Sequence, residues 1–204
     1  MYKNIIFLFI FKFTCIAQDF KKEILIDVNN DTISGEAFLK KAKDFNFFYK
    51  TTETDSFRIA KLYSKINYGT IDSNKRQLLC KELKLLSNKD IDSTNIIVVN
   101  FAIKNDDNYN SLGCLYHFYH LNSLSLYKQK RYNYIKQFYI KEKGCDIKLK
   151  KVIEDKNNKI KDLFFDIALY CGNTLIIFPD NTYKIFYGDS EHTYIEELKK
   201  YKNE

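Results

Sequence analysis

The chain has 204 residues, enough for one ordinary domain or a small domain with an extension. Hydrophobic residues make up 45%, and there are only one Pro and six Gly. The sequence can therefore bury a core, and this composition excludes long disordered linkers. The formal net charge of +7 is mild and excludes little by itself.

Met1-Tyr2-Lys3-Asn4 is a short positive segment followed by the apolar run 5–10, which Phe11, Phe13, Cys15 and Ile16 extend past Lys12. Ala17 precedes Gln18-Asp19, where polarity rises sharply. This is the pattern of a secretory signal peptide over residues 1–17, cleaved after the small residue Ala17. The apolar run is shorter than the roughly 20 residues a spanning helix needs. The expectation is an exported protein, periplasmic or secreted, with no transmembrane segment after cleavage. Four cysteines remain beyond the cut: Cys80, Cys114, Cys145 and Cys171. An even number in an oxidising compartment favours disulfides; three full pairings are open, and there is no C-x-x-C.

Residues 23–28 read as a strand ending at the turn Asn29-Asn30-Asp31. Ser34 is placed to N-cap a helix with Phe38, Leu39, Ala42 and Phe45 on one face. Residues 46–50 and 57–63 form a predicted hairpin around 51–55. Asn67-Tyr68-Gly69-Thr70 reads as a turn. Asp72 or Ser73 then starts a helix carrying Leu79, Leu83 and Leu86, which stops near Asn88. This stretch, with residues 18–92 as its bounds, is an N-terminal α+β extension without a catalytic signature.

Residues 96–101 (Ile-Ile-Val-Val-Asn-Phe) are a central strand buried on both faces. A polar loop, 104–113, follows, then a helix over 114–121 and a second over 124–141 with Tyr127, Tyr134, Ile135 and Phe138 at helical spacing. Ile147, Leu149 and Ile153 form a ragged, basic strand. Asn157 or Asn158 caps a helix with the stripe Ile160, Leu163, Phe164, Ile167, Ala168 and Cys171, ended by Gly172. The run 175–178, the turn Pro179-Asp180-Asn181 and the alternating residues 183–187 make a hairpin. Gly188-Asp189-Ser190 leads into a closing helix with Tyr194, Ile195, Leu198 and Tyr201 on one face. The fold class is α/β, a mixed sheet with helices.

The order from residue 95, strand, loop, helix, strand, helix, hairpin, helix, resembles the thioredoxin-like fold. The segments that carry the resemblance are 96–101, 174–181 and the closing helix. It implies a thioredoxin-like domain over 93–204. The mature chain also resembles small uncharacterised exported bacterial proteins with a Tyr-x-Cys-Gly segment before such a hairpin, a place taken here by Tyr170-Cys171-Gly172. Cys114 stands without a C-x-x-C partner, and Gly172-Asn173 occupies the place of the family's cis-proline. The resemblance thus implies the scaffold without dithiol chemistry. It also implies that the strand 96–101 runs antiparallel to 174–178, which brings Cys114 and Cys171 to one sheet edge as a disulfide or as adjacent thiols.

Other chemistry is sparse. Cys114, His117 and His120 fall within about 120° of helical arc, a conceivable metal site lacking a fourth ligand. Asp106, Asp107, Asn108 and Asn110 fit no EF-hand spacing. No phosphate loop, Ser-His-Asp pattern or G-x-S-x-G elbow is present, and no cofactor is implied. Between Lys128 and Lys161 twelve Lys or Arg face four acids, so an anionic partner is considered beside a solvated face. Export argues against nucleic acid. The functional expectation is a non-catalytic exported domain that binds a protein or an anionic envelope component. The alternative is a divergent thiol-dependent redox enzyme using Cys114.

Overall fold

The computed structural model describes residues 21–104, 134–168, 172–188 and residue 198. Its elements are β1 (Lys22–Ile26), α1 (Gly35–Ala42), β2 (Phe47–Glu53), β3 (Phe57–Ser64), β4 (Ile66–Thr70), α2 (Ser73–Ser87), β5 (Ile96–Ala102), β6 (Ile135–Glu142), β7 (Val152–Asp155), α3 (Lys159–Phe164), β8 (Asn173–Ile177) and β9 (Thr182–Phe186). They form a mixed α/β fold with two sheets, ordered β1-β3-β2 and β4-β9-β8-β5-β6-β7.

In the first sheet β2 and β3 are the expected antiparallel hairpin, and β1 lies parallel to β3. Ser34 accepts the Ala37 N–H at the start of α1, as its sequence position promises. The helix ends at Ala42, so the expected four-residue apolar face is not made. Phe38 is buried against Ala60 and Leu62, with Ala42 packed at the margin. Leu39 is 60% exposed because it lies a quarter-turn round from Phe38. Phe45, beyond the helix, instead covers the Lys65 ammonium at 3.7 Å.

The second sheet is parallel across β5-β6-β7 and antiparallel across β5-β8-β9-β4. All seven residues of β5 are buried, which is why its sequence is apolar at every position but Asn100. Ile97, Val99 and Phe101 enter the larger core with Leu79 and Leu83 of α2. Ile96, Val98 and Ala102 face the opposite side, together with Ile176 and the buried helical residue Leu198. β8 is antiparallel to β5, with Phe101 opposite Asn173, so the end of β5 lies beside the start of β8. This sheet draws β4 and its covering helix α2 from before residue 93.

Five further expectations are corrected. Residues 67–70 are part of strand β4, not a turn; Gly69 is needed where Tyr183 of β9 crosses, since a Cβ there would meet its ring at 3.2 Å. Residues 135–141 are strand, not helix: β6 buries Phe138 and Ile140 on one face and Ile135 and Tyr139 on the other, and such two-sided burial mimics helical spacing. β7 starts at Val152, so Ile147 and Leu149 precede the strand. α3 ends at Phe164, far short of Cys171; at Phe165 the chain leaves helical geometry (φ −127°) and its ring stacks on Phe101 at 4.6 Å. Nor does Asn158 cap α3 with its side chain, whose oxygen accepts the Lys143 N–H at 3.3 Å. Asp155, three residues earlier, receives the N–H groups of Lys159, Ile160 and Lys161. The expected helices at 114–121 and 124–133 and all of the closing helix except Leu198 lie outside the described residues.

Candidate anion-binding site

The parallel set β5-β6-β7 has two ends of opposite character. At the carboxyl end, register places Glu142 of β6 beside Asp155 of β7. Glu142 accepts the Lys104 N–H at 2.7 Å and the Lys161 ammonium at 2.5 Å. Glu82 of α2, also buried, accepts from Lys159 at 2.9 Å. Asp155 is wholly buried and takes the three N–H groups that start α3. Burial outweighs those donors and, with the nearby Glu82 charge, holds its carboxyl above the usual carboxylate range. All three acids are thus engaged in fastening α3 to α2 and to the sheet. Among the described residues no group of three His, Cys, Asp or Glu is arranged to hold a metal ion.

At the amino end the charge is of the other sign. α2 stops at Asn88, whose left-handed backbone (φ 54°) turns the chain over the sheet. Lys89 follows, and its ammonium lies 5.3 Å from the centre of the Phe138 ring on β6. Lys136 is two residues before Phe138 and so on the same face. Lys151 precedes β7, whose first residue, Val152, pairs with Tyr139; that register sets Lys151 alongside Phe138. Burial first, then the charges of Lys136 and Lys151, hold the Lys89 ammonium below its ordinary pKa. Asp90 pairs with Lys84 at 2.7 Å and Asp92 accepts from Thr94, and both acids also lie within electrostatic reach of Lys136.

A groove of about 340 Å³ opens between α2 and α3. Leu78, Lys81, Glu82, Lys159, Asp162 and Leu163 line it. On the opposite face of the sheet, Asn100, Gln137 and Thr174 form a buried amide–hydroxyl chain across β6, β5 and β8, with bonds of 2.8 and 3.0 Å. Nothing in the sequence signalled that chain, because its members come from three distant strands.

The residues singled out earlier fare unevenly. Cys114, Cys171, His117, His120 and the acidic loop at 106–110 lie outside the described residues. Cys80 and Cys145 are free thiols, and burial pushes the pKa of both up. In the basic stretch, Phe138 and Tyr139 are buried core residues and offer no stacking surface. Lys136 and Lys151 come from that stretch, whereas Lys89 joins them from far away in sequence; a lysine just after a helix stop was its only signal. No described helix is long and apolar enough to cross a membrane. Comparison of the chain with protein-family models, with curated proteins and with solved structures yields no match.

Proposed function

We propose that the protein is an exported, non-catalytic domain that binds an anionic envelope or extracellular component at Lys89, Lys136 and Lys151. The observation that carries this reading is the placement of Lys89, Lys136 and Lys151 about Phe138 at the amino end of the parallel strands. A basic patch of this kind steers an approaching anion and raises its on-rate. The test is a salt gradient on an anionic matrix. Lys136→Gln/Lys151→Gln elutes at clearly lower salt than wild type, whereas Lys40→Gln/Lys43→Gln, with the same loss of charge at the other sheet, changes little. Equal shifts in the two variants would reduce the effect to net charge and refute the reading.

The proposed scaffold for residues 93–204 is thioredoxin-like, with 18–92 as its extension. Its support is the parallel β5–β6 pair, the antiparallel β5–β8 pair and the β8–β9 hairpin. The same register favours one alternative, a thiol-dependent enzyme using Cys114, because it brings the exit of β5 next to the segment that follows Cys171. Disulfide exchange present in wild type and lost in Cys114→Ser would select that alternative.

A further inference from the structure

The chain passes from β3 into β4 through Lys65, and one flank of β4 is left open. The Tyr187 N–H donates to Lys65 O at 2.8 Å and the Ile71 N–H to Asn181 O at 3.0 Å. The odd-numbered residues from 65 to 71 therefore direct their backbone groups at β9, and Ile66, Tyr68 and Thr70 direct theirs the other way. Ile66 is closed off by its own neighbour: the Ser64 hydroxyl accepts its N–H at 3.3 Å and donates to its C=O at 2.7 Å. Tyr68 and Thr70 keep two N–H and two C=O groups turned outward, with no partner among the described residues. Both residues are exposed, Tyr68 to 74%. The other edge strands described are β1, β2 and β7. β1 carries Lys22 and Glu23, β2 carries Lys50 and Glu53, and β7 carries Glu154 and Asp155. β4 has neither a charge nor a Pro. Charges and Pro are the usual means by which an edge is kept from pairing with its own kind.

We infer that β4 pairs antiparallel with β4 of a second copy of this chain, about a two-fold axis through Gly69. The register of the edge selects this occupant. With the axis at Gly69, Tyr68 faces Thr70 of the second copy and Thr70 faces its Tyr68, each as a hydrogen-bonded pair. The four bonds so formed use every outward group of Tyr68 and Thr70 in both copies and leave the Ser64 contacts to Ile66 intact. On one face the two Tyr68 side chains stand on the diagonal, within aromatic reach. On the other, Gly69 meets Gly69 as a non-hydrogen-bonded pair, with Cα atoms about 4.5 Å apart. Each glycine already lies beside a Tyr183 ring, 3.2 Å from where its Cβ would be, so the two rings come together over the paired glycines. None of these pairs sets like charges against each other. A contact made by one five-residue strand buries less than the roughly 1,200 Å² of a standard interface, so the dimer is weak and reversible. The inference is independent of the anion reading, because β4 lies at the opposite edge of the sheet from β6 and β7.

The test is sedimentation equilibrium with NMR amide exchange on the full mature chain from about 10 µM to about 1 mM, the range in which a contact of this size dissociates. Wild type is a reversible monomer–dimer, and the Tyr68 and Thr70 amide protons exchange more slowly as concentration rises. The Asn67 and Gly69 amides, turned toward β9, do not change. Tyr68→Lys, at an exposed position, sets two ammonium groups on the diagonal of the dimer. It raises the dissociation constant about tenfold and leaves the urea midpoint unchanged. Thr70→Pro removes one outward N–H and no bond to β9, and it weakens the dimer likewise. Leu39→Lys makes the same change of charge on exposed α1 and leaves the dissociation constant as it was. A chain that stays monomeric at the highest concentration overturns the inference. So does a dimer that Tyr68→Lys leaves untouched, or one whose Tyr68 and Thr70 amides exchange as fast as in the monomer, since the contact then lies elsewhere.

Discussion

Arg76 is the side chain whose loss the fold should feel most. It is 8% exposed and its guanidinium donates to Phe178 O, Asn181 Oδ1, Ser93 O and Asn95 O. One group thereby joins α2, the connection into β5 and the turn of the β8–β9 hairpin. The perturbation is Arg76→Met, which keeps most of the stem and deletes the fork. Two of the bonds, to Phe178 O and Asn95 O, are buried; at about 1.5–3 kcal/mol for each charge-assisted bond they total about 3–6 kcal/mol. Phe178 O keeps the Asn181 N–H, and the variant no longer buries a cation, so the loss is smaller. The expected net destabilisation is about 3 kcal/mol. With a urea m-value of about 2 kcal/mol/M, the midpoint falls by about 1.5 M at unchanged slope. Arg76→Lys recovers less than half, because one ammonium cannot fork to two segments. A midpoint shift below about 0.5 M for Arg76→Met would refute the argument that this guanidinium joins the three segments.

Gly69→Ala destabilises by about 1 kcal/mol, because the new Cβ crowds the Tyr183 ring, and the penalty disappears in a Tyr183→Ala background when the double-mutant cycle is measured. Cys145 is buried with its thiol pushed up, so peptide mapping finds it unalkylated by iodoacetamide at mildly alkaline pH until urea unfolds the chain; rapid native labelling would contradict its place in the core. Non-reducing peptide mapping of the protein made in an oxidising compartment recovers a linked Cys114–Cys171 pair, the pairing that the thioredoxin-like proposal implies; free thiols at both positions would end that proposal. Asp155 has a folded pKa raised above its unfolded value, so its contribution is full below the ordinary carboxylate pKa and is lost as pH rises through the raised one. Stability of wild type minus Asp155→Asn therefore falls as pH rises above the ordinary carboxylate pKa, and a difference that is flat or rising with pH would reverse the sign of that argument.

Much of the fold is legible where local chemistry and tertiary packing agree. Ser34, Asp72 and Asn88 each act at the helix end their side chains suit, and the turn before β9 uses Asn181 at positive φ. β5 is legible because burial on both faces gives it four consecutive apolar residues, 96–99. The same burial conceals β6, where Ile135 and Phe138 stand three apart on opposite faces of a strand. β4 is concealed for another reason: Asn67 and Gly69 are turn residues by propensity, and pairing with β9 overrides them. The cap of α3 escapes a local search because Asp155 sits at the end of a strand and reaches forward over three residues. The lysine cluster is illegible in principle from spacing, since Lys89 meets Lys136 and Lys151 only after α2 is laid on the sheet.

That placement gives the site its direction. Open α/β sheets generally place ligands beyond the carboxyl ends of their parallel strands. Here, among the described residues, the acids at that end are taken up in holding α3: Glu142 by Lys161 and a backbone N–H, Glu82 by Lys159, and Asp155 by three N–H groups. Breaking any of those bonds to admit a ligand would leave a buried carboxylate uncompensated, a cost of several kcal/mol. The amino end carries the opposite arrangement. Lys89, Lys136 and Lys151 lie there at the end of a helix whose C-terminal dipole favours cations, with Asp90 and Asp92 within electrostatic reach of Lys136. Anion binding is therefore proposed at this end, where an incoming anion would meet lysines and displace no bond of a buried carboxylate.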